Sequence, residues 1–341
     1  MAARDRGPET AAPTITSVAA LAGVSRSTVS RAFSNPRVLR PDTVDRVHAA
    51  AAELGYVPNP TAKALSTGRH GLLAMIVPDI ANPFFPPMIG AAQGRAETAG
   101  LALLLGNTDE DPAREHTMVT RLTPQTDGFV LAASRMSERQ IRSLAGRRPV
   151  VLVNRDLPGL PRVLVDSADG VRAAVEHLAE LGHRRIAYLA GPTRSWANAQ
   201  RKKAVKRAAE RARIDAVLLP GRVSSYEAGM QAAPDLLATR ATAAVAFDDV
   251  LAHGVMAGLV QHGVSVPDDF SLVGCDDVLK AQVYPPLTTV SSHAADAGEA
   301  AVELLVQHLE DPSAPERRVL LGTSLIIRAT TAPAPSLSSV P

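Results

Sequence analysis

Cysteine is nearly missing from this chain. Cys275 stands alone, so no disulfide can form within it, and no CxxC or HExxH spacing offers a metal site. Aromatic residues are also scarce, at 3% of the sequence, which leaves Ala, Val and Leu to fill most of any core. No apolar run approaches the roughly 18 residues that cross a bilayer. The first 13 residues are charged and contain proline, without the apolar stretch of a signal peptide. A cytoplasmic protein with no membrane partner is therefore expected. The familiar catalytic and nucleotide loops are lacking too. No two of the 23 glycines stand two residues apart, which excludes GxGxxG, and neither a GxxxxGK(S/T) loop nor a GxSxG elbow occurs. Neither an enzyme nor a bound cofactor is expected.

What the chain does have is length, asymmetry of charge and a change of pattern. At 341 residues it exceeds the size at which one hydrophobic core keeps growing, so two or three domains are expected. Residues 1–70 carry nine Lys/Arg against five Asp/Glu, while residues 71–341 carry 27 against 29. A basic module joined to a near-neutral body suits a polyanionic partner such as DNA, although a short basic segment can also be only a solvated surface. Residues 1–13 and 331–341 are rich in Ala, Pro, Ser or Thr without periodicity, and both tails are expected to be disordered.

The most specific stretch is Thr14 to Phe33, TITSVAALAGVSRSTVSRAF. Thr16 or Ser17 can cap a first helix whose Val18, Leu21 and Ala22 share a face, and Gly23 ends it. Val24 can plug the corner and Ser25 can cap a second helix from Arg26 to Phe33, which gives a helix-turn-helix. With Val29 and Phe33 turned inward, Arg26, Ser27, Ser30 and Arg31 face outward, where the amino end of such a helix reaches base edges in the major groove. The two arginines can each donate a bidentate pair to guanine. The hydroxyls of Ser25, Thr28 and Ser30 suit phosphates. A small bundle with a solvated arginine face remains the alternative. A third helix starts at Pro41 with Val44, Val47, His48, Ala51 and Leu54 as its stripe, and Gly55 stops it. His48 has no paired acid or nucleophile and reads as a partly buried bundle histidine.

Asn59 and Pro60 open a further helix through Ser66 that is too short to be stable alone in water. Lys63 can meet phosphates and Leu65 can wedge between base steps in the minor groove, unless the segment is a linker with an incidental leucine. From residue 71 onward short apolar runs alternate with helix-length segments: Leu72 to Val77, Leu101 to Leu105, Gly128 to Ala132, Val150 to Val153, Val163 to Val165, Arg185 to Ala190, Ala216 to Leu219, Ala243 to Ala246 and Ser271 to Cys275. Strands apolar on both faces lie between helix layers, so an α/β fold of two doubly wound parallel-sheet subdomains is expected.

ITSVAALAGVSRSTVSRAF, ELGYVPN, AKALSTG and LAMIVPDIANPFF, followed by HLAELGHRRIAYLAGP, VPDDFSLVGCDD and PPLTTV, together resemble the lactose/galactose repressor (LacI/GalR) family over about residues 14–330. The resemblance implies a helix-turn-helix domain at 14–58 and a hinge helix and linker at 59–70. It also implies a periplasmic-binding-protein-like core at 71–330, with subdomains of 71–165 plus 292–322 and 167–290 plus 323–330. It implies a homodimeric repressor of a near-palindromic operator, with Arg26, Ser27 and Arg31 as base readers, Thr43 among the DNA-contacting positions and Leu65 as the wedge. A small-molecule effector, a sugar or related metabolite, would sit in the cleft against Phe84, Phe85, Asn154, Ser195, Arg201, Asp248, Asp276 and Ser292.

Several positions depart from the family pattern. Ala199 stands where a second arginine is usual, Ala204 and Val205 where a Gly-aromatic pair is usual, and Arg222, Val223 and Ser224 where an aromatic commonly follows the strand. Asp248 replaces a usual Asn, Ser292 a frequent Gln, Ser34 a frequent Asn and Val44 a frequent Arg. These losses keep open a second reading, a DNA-binding regulator whose core only dimerises. An exported sugar-binding protein would share the core fold but have no use for the reader.

Overall fold

The computed structural model describes residues 13–34, 36–57, 69–278 and 283–335. They divide between His70 and Gly71 into two units. The expected hinge helix, with Asn59, Lys63 and Leu65, lies outside the described residues.

The first unit packs three helices, α1 (Ile15–Ala22), α2 (Arg26–Ser34) and α3 (Pro41–Leu54), with a turn of 3-10 helix at Pro36–Val38 between the last two. The cap of α1 is Thr14 rather than Thr16 or Ser17. Its hydroxyl accepts from the Ser17 N–H at 3.2 Å while the Ser17 hydroxyl accepts from the Thr14 N–H at 2.9 Å, so two orphan donors are satisfied reciprocally. Gly23 ends α1 at φ 65°, a conformation that favours glycine, and sends the chain into α2. The core is built from Val18, Ala19, Ala22, Val29, Ala32, Val47, Ala50 and Ala51. Leu21, expected inside, is 47% exposed. Residues 18, 22 and 19 span one stripe about 100° wide, and position 21 falls outside it. His48 also lies off the stripe of α3, exposed, with its ring stacked on Phe33 at 5.1 Å.

In the second unit, β1 (Leu72–Val77), α4 (Phe85–Thr98), β2 (Ala102–Asn107), α5 (Pro112–Leu122), β3 (Gly128–Ala132), α6 (Glu138–Ala145), β4 (Val150–Val153) and β5 (Arg162–Asp166) alternate as the apolar runs predict. They are followed by α7 (Ala168–Glu180), β6 (Arg185–Leu189), α8 (Trp196–Ala212), β7 (Asp215–Leu219), α9 (Tyr226–Gln231) and α10 (Ala233–Ala238). Then come β8 (Ala243–Ala246), α11 (Asp249–Gln261), β9 (Ser271–Asp276), β10 (Thr288–Ser291), α12 (Ala294–Glu310), β11 (Arg318–Gly322) and β12 (Leu325–Ile326). One sheet has the order β11-β5-β4-β3-β1-β2 and the other β12-β10-β9-β8-β6-β7. All neighbours are parallel except β10 and β12. The central strands are buried on both faces, which is why their sequences are continuous apolar runs instead of alternating ones.

The last three strands were not legible as apolar runs. β10 is threonine-rich behind two prolines, β11 alternates in exposure at a sheet edge, and β12 is two residues long. The chain passes between the sheets three times, after β5, β10 and β11. The crossings are tied together: Thr323 Oγ1 donates to the Asp166 carbonyl at 2.9 Å, and the Ser291 N–H donates to the Ser324 carbonyl at 2.9 Å. The carboxyl tail differs from expectation over residues 331–335. Ala332 donates its N–H to Ser271 Oγ at 3.0 Å and its carbonyl accepts from the Ser271 hydroxyl at 3.2 Å, while the Ala334 N–H reaches the Leu181 carbonyl at 2.8 Å. Backbone groups paired with β9 and α7 hold this stretch to the body despite its Pro- and Ala-rich composition.

Candidate functional site

In both sheets the chain winds in opposite directions from one strand, β1 or β6, whose two neighbours follow it by different connections. A crevice opens at the carboxyl ends of the strands at such a switch point. A cavity of about 420 Å³, counting its open mouth, lies there between the sheets, and its lining comes from the loops at those ends. Asn82, Phe84 and Phe85 follow β1, Glu110 follows β2, Ala133 and Arg135 follow β3, and Asn154 follows β4. From the other sheet, Ser195, Ala197 and Arg201 follow β6, Ser224 follows β7, Phe247 and Asp248 follow β8, and Asp276 ends β9. Ala133, Asn154 and Asp276 all have positive φ, at 50°, 51° and 112°. Backbone strain of this kind persists where the surroundings over-determine it, and it collects at binding sites.

The polar groups of this cavity are organised around Arg201, which is 5% exposed. Its Nη2 donates to Asp276 Oδ1 at 2.7 Å, its Nη1 to the Phe247 carbonyl, and its guanidinium lies 5.0 Å from the centre of the Phe247 ring. Gly191 makes room for that ring, since a Cβ there would come within 2.2 Å of it. Burial opposes the charge of Arg201, but the nearby Asp276 carboxylate more than offsets this and holds its pKa above the ordinary arginine value. Asp276 itself is raised by burial, with Arg201 pulling the other way. On the opposite wall Arg135 forks onto Glu110, Nε to Oε2 at 2.5 Å and Nη2 to Oε1 at 2.9 Å.

Asp248 caps α11, its Oδ1 accepting from the Leu251 N–H at 2.9 Å. Its Oδ2 accepts from the Ser224 hydroxyl and, across the cleft, from Asn82 Nδ2 at 3.2 Å. Burial, then repulsion from Asp276, pushes the Asp248 carboxyl up to about 6. Behind it Asp249 accepts from Thr289 Oγ1 at 2.6 Å and the Val278 N–H at 3.0 Å, and burial with Asp276 beside it drives its pKa well above the carboxylate range.

Of the eight cleft positions expected from sequence, Phe84, Phe85, Asn154, Ser195, Arg201, Asp248 and Asp276 line the cavity. Ser292 does not. It is buried and donates to the Asp276 carbonyl at 2.8 Å, supporting a lining residue from behind. Three of the seven are also committed locally: Ser195 caps α8 through the Asn198 N–H, Asp248 caps α11, and Asn154 Oδ1 accepts from the Val165 N–H. Asn82, Glu110, Arg135, Ser224 and Phe247 were not anticipated. Their common signal was available, since each lies just beyond a strand's carboxyl end. Ala204 and Val205, which depart from the family pattern, are buried core, and Asp277 pairs with Arg328 at 2.5 Å away from the cavity.

In the first unit Arg26, Ser27 and Arg31 are exposed along α2, opposite buried Val29 and Ala32, and Thr28, Ser30 and Thr43 are half-buried. Ser25 Oγ caps α2 by accepting from the Thr28 N–H at 3.1 Å and lies 2.8 Å from the hydroxyls of both Ser27 and Thr28. Neither arginine is in an ion pair among the described residues.

Residues 14–59 match the model for bacterial regulatory proteins of the lacI family, and residues 175–331 match that for a periplasmic binding protein-like domain. The HTH-type transcriptional regulator DegA of Bacillus subtilis (strain 168) is 32% identical over 331 residues, which covers 94% of this chain and 98% of DegA. The chain belongs to the LacI family. The HTH-type transcriptional repressor CytR of Escherichia coli (strain K12) is 33% identical, covering 95% of this chain and 97% of CytR. Among solved structures, the lac repressor dimer bound to operator and the anti-inducer ONPF superposes with a TM-score of 0.83 at 28% identity, covering 94% of this chain and 99% of that one. These LacI-family relatives are transcriptional regulators and repressors, not enzymes, so transcription regulation through DNA binding is the functional class of this chain. Among the described residues no helix is long and apolar enough to cross a membrane, and no cluster of His, Cys, Asp or Glu could hold a metal ion.

Proposed function

We propose that this LacI-family regulator is a cytoplasmic repressor that binds a near-palindromic operator as a homodimer and is modulated by a small hydroxylated metabolite in its cleft. The observation that carries the DNA half is the α2 edge: Arg26, Ser27 and Arg31 exposed together on a helix whose other face is buried. The arginines would read guanine edges, and Ser25, Thr28, Ser30 and Thr43 would meet phosphates. Lys63 and Leu65 would follow as phosphate contact and minor-groove wedge. The family's solved lac repressor dimer, with operator and anti-inducer bound, supports both partners by likeness.

For the effector, the support is a cavity that gathers Phe84 and Phe247 with Arg201, Asp276 and Asp248 in one lining. Residues 71–165 with 292–322 and residues 167–290 with 323–330 would be the two bodies whose rotation a ligand controls. Selecting bound fragments from the source genome, followed by titration of the selected duplex with and without a sugar panel, tests the whole reading. A selected palindrome whose binding weakens with Arg31→Ala is expected. Equal binding of random duplexes at moderate salt would sink the reader. A core whose unfolding midpoint no metabolite raises would leave only the dimerising role.

A further inference from the structure

The cavity contains five ionisable side chains in contact with its space: Glu110, Arg135, Arg201, Asp248 and Asp276. Four of them cancel in pairs. Arg135 is held in a fork by Glu110, and Arg201 by Asp276. Asp248 is left over. It is 1% exposed, and all three groups that donate to it, the Leu251 N–H, the Ser224 hydroxyl and the Asn82 amide, are neutral. Asp249, directly behind it in sequence and 2% exposed, is likewise met only by the neutral donors Thr289 and Val278. The cleft therefore holds both of its guanidiniums in internal pairs and keeps one carboxylate in excess, with no ion pair of its own.

A buried charge met only by neutral dipoles is held at a cost, and a ligand that brings the opposite charge recovers it in a low-dielectric site where the attraction is strong. The usual family residue here is Asn, whose neutral amide offers both a donor and an acceptor. Asp248 when ionised presents acceptors only. We propose that the effector of this chain carries a protonated amine on a hydroxylated framework, the chemistry of an amino sugar, and that the ammonium is received by Asp248. This rests on the sensor reading above and narrows its ligand class.

The surroundings suit such a group. Phe84 and Phe85, edge to face at 5.1 Å, line the same cavity, and aromatic faces attract cations. The cross-cleft bond from Asn82 to Asp248 Oδ2 is long for its type at 3.2 Å. An ammonium donating to Oδ2 at charge-assisted distance replaces a weak neutral donor by a strong charged one, and frees Asn82 for a ligand hydroxyl. The ligand's charge thus acts on the contact that joins the two walls of the cleft.

The test compares ligands on the full chain at neutral pH: glucosamine, galactosamine, their uncharged parents glucose and galactose, which match them in size, and N-acetylglucosamine, which keeps the nitrogen but removes its charge and adds an acetyl group. Titration calorimetry and the thermal unfolding midpoint are the readouts. Binding of an amino sugar at least tenfold tighter than its parent and its N-acetyl form is expected, with the preference lost in Asp248→Asn while that variant keeps a cooperative unfolding transition. Neutral sugars binding as well as or better than the amines would overturn the amine assignment and leave the sensor reading standing. No response to any of the five ligands would overturn this inference, and only a core that no metabolite stabilises would remove the sensor reading with it.

Discussion

Arg26 and Arg31 stand in water on a helix of a small alanine- and valine-cored bundle, whereas Arg201 is 5% exposed and pinned between a carboxylate, a carbonyl and an aromatic ring. Both regions use arginine, and the physics of the two placements is opposite. A charge left in water costs folding little and is open to a new partner, so its whole effect can fall on binding. A charge taken out of water must be matched, and whatever matches it becomes part of the fold. Substitutions on α2 should therefore move DNA affinity and leave stability alone, while substitutions in the cleft should move stability first.

The largest effect should come from Arg201→Met, which strands Asp276 among Asp248 and Asp249. Urea unfolding of the full chain should show a loss of about 3–5 kcal/mol, partly recovered when Asp276→Asn is added. A loss under about 1 kcal/mol would mean that the cleft charges are solvated like those of α2, and the contrast would break.

Next is Asp248→Asn, which should stabilise. The folded carboxyl titrates near 6 against the ordinary 3.8, so the folded state holds a proton that the unfolded state has already released across this window. Stability therefore falls as pH rises from about 4 to about 6, and the full cost, about 3 kcal/mol, stands at pH 7 and above. Substitution by Asn removes that cost and loses an acceptor worth about 1 kcal/mol, for a net gain on the order of 2 kcal/mol. Urea midpoints taken at pH 7.5 and at pH 4 should show the gain at the first and none at the second. A gain that does not depend on pH would refute the electrostatic cause.

Arg31→Ala should weaken operator binding by about 1–3 kcal/mol, roughly fivefold to more than a hundredfold. Its unfolding midpoint should stay within about 0.5 kcal/mol of the parent chain. A large stability change would show that α2 holds its arginine structurally, against its exposure. The smallest effect is expected at Leu21, where replacement by Gln should cost less than about 0.5 kcal/mol, while Val18→Ala, 0% exposed, should cost on the order of 2 kcal/mol. Equal costs would restore Leu21 to the core.

Much of this was legible in the chain. The helix-turn-helix followed from Gly23, Ser25 and the apolar spacing around them, because turns and caps depend on neighbours in sequence. The parallel strands followed from runs such as LLAMIV and GFVLA, because burial on both faces removes the need for polar residues. The finer errors were also local in kind: Thr14 won the cap through a reciprocal bond with Ser17, and the α1 stripe centred on Ala19 and Ala22 in place of Leu21. In the cleft, sequence likeness named seven lining residues but missed Asn82, Glu110, Arg135, Ser224 and Phe247. It also placed Ser292 in contact with ligand, where the fold uses it to hold the Asp276 carbonyl.

The sequence alone determined the two kinds of module, their order, the αL turn at Gly23 and the exposed edge that Arg26, Ser27 and Arg31 form, since all of these depend on periodicity and short-range bonding. Tertiary structure alone decided which charges cancel. Arg135 and Glu110 are 25 residues apart and Arg201 and Asp276 are 75 apart. Coulombic pairing depends on distance and burial in space, so Asp248 could be recognised as the unmatched carboxylate only after the loops at the strand ends had met.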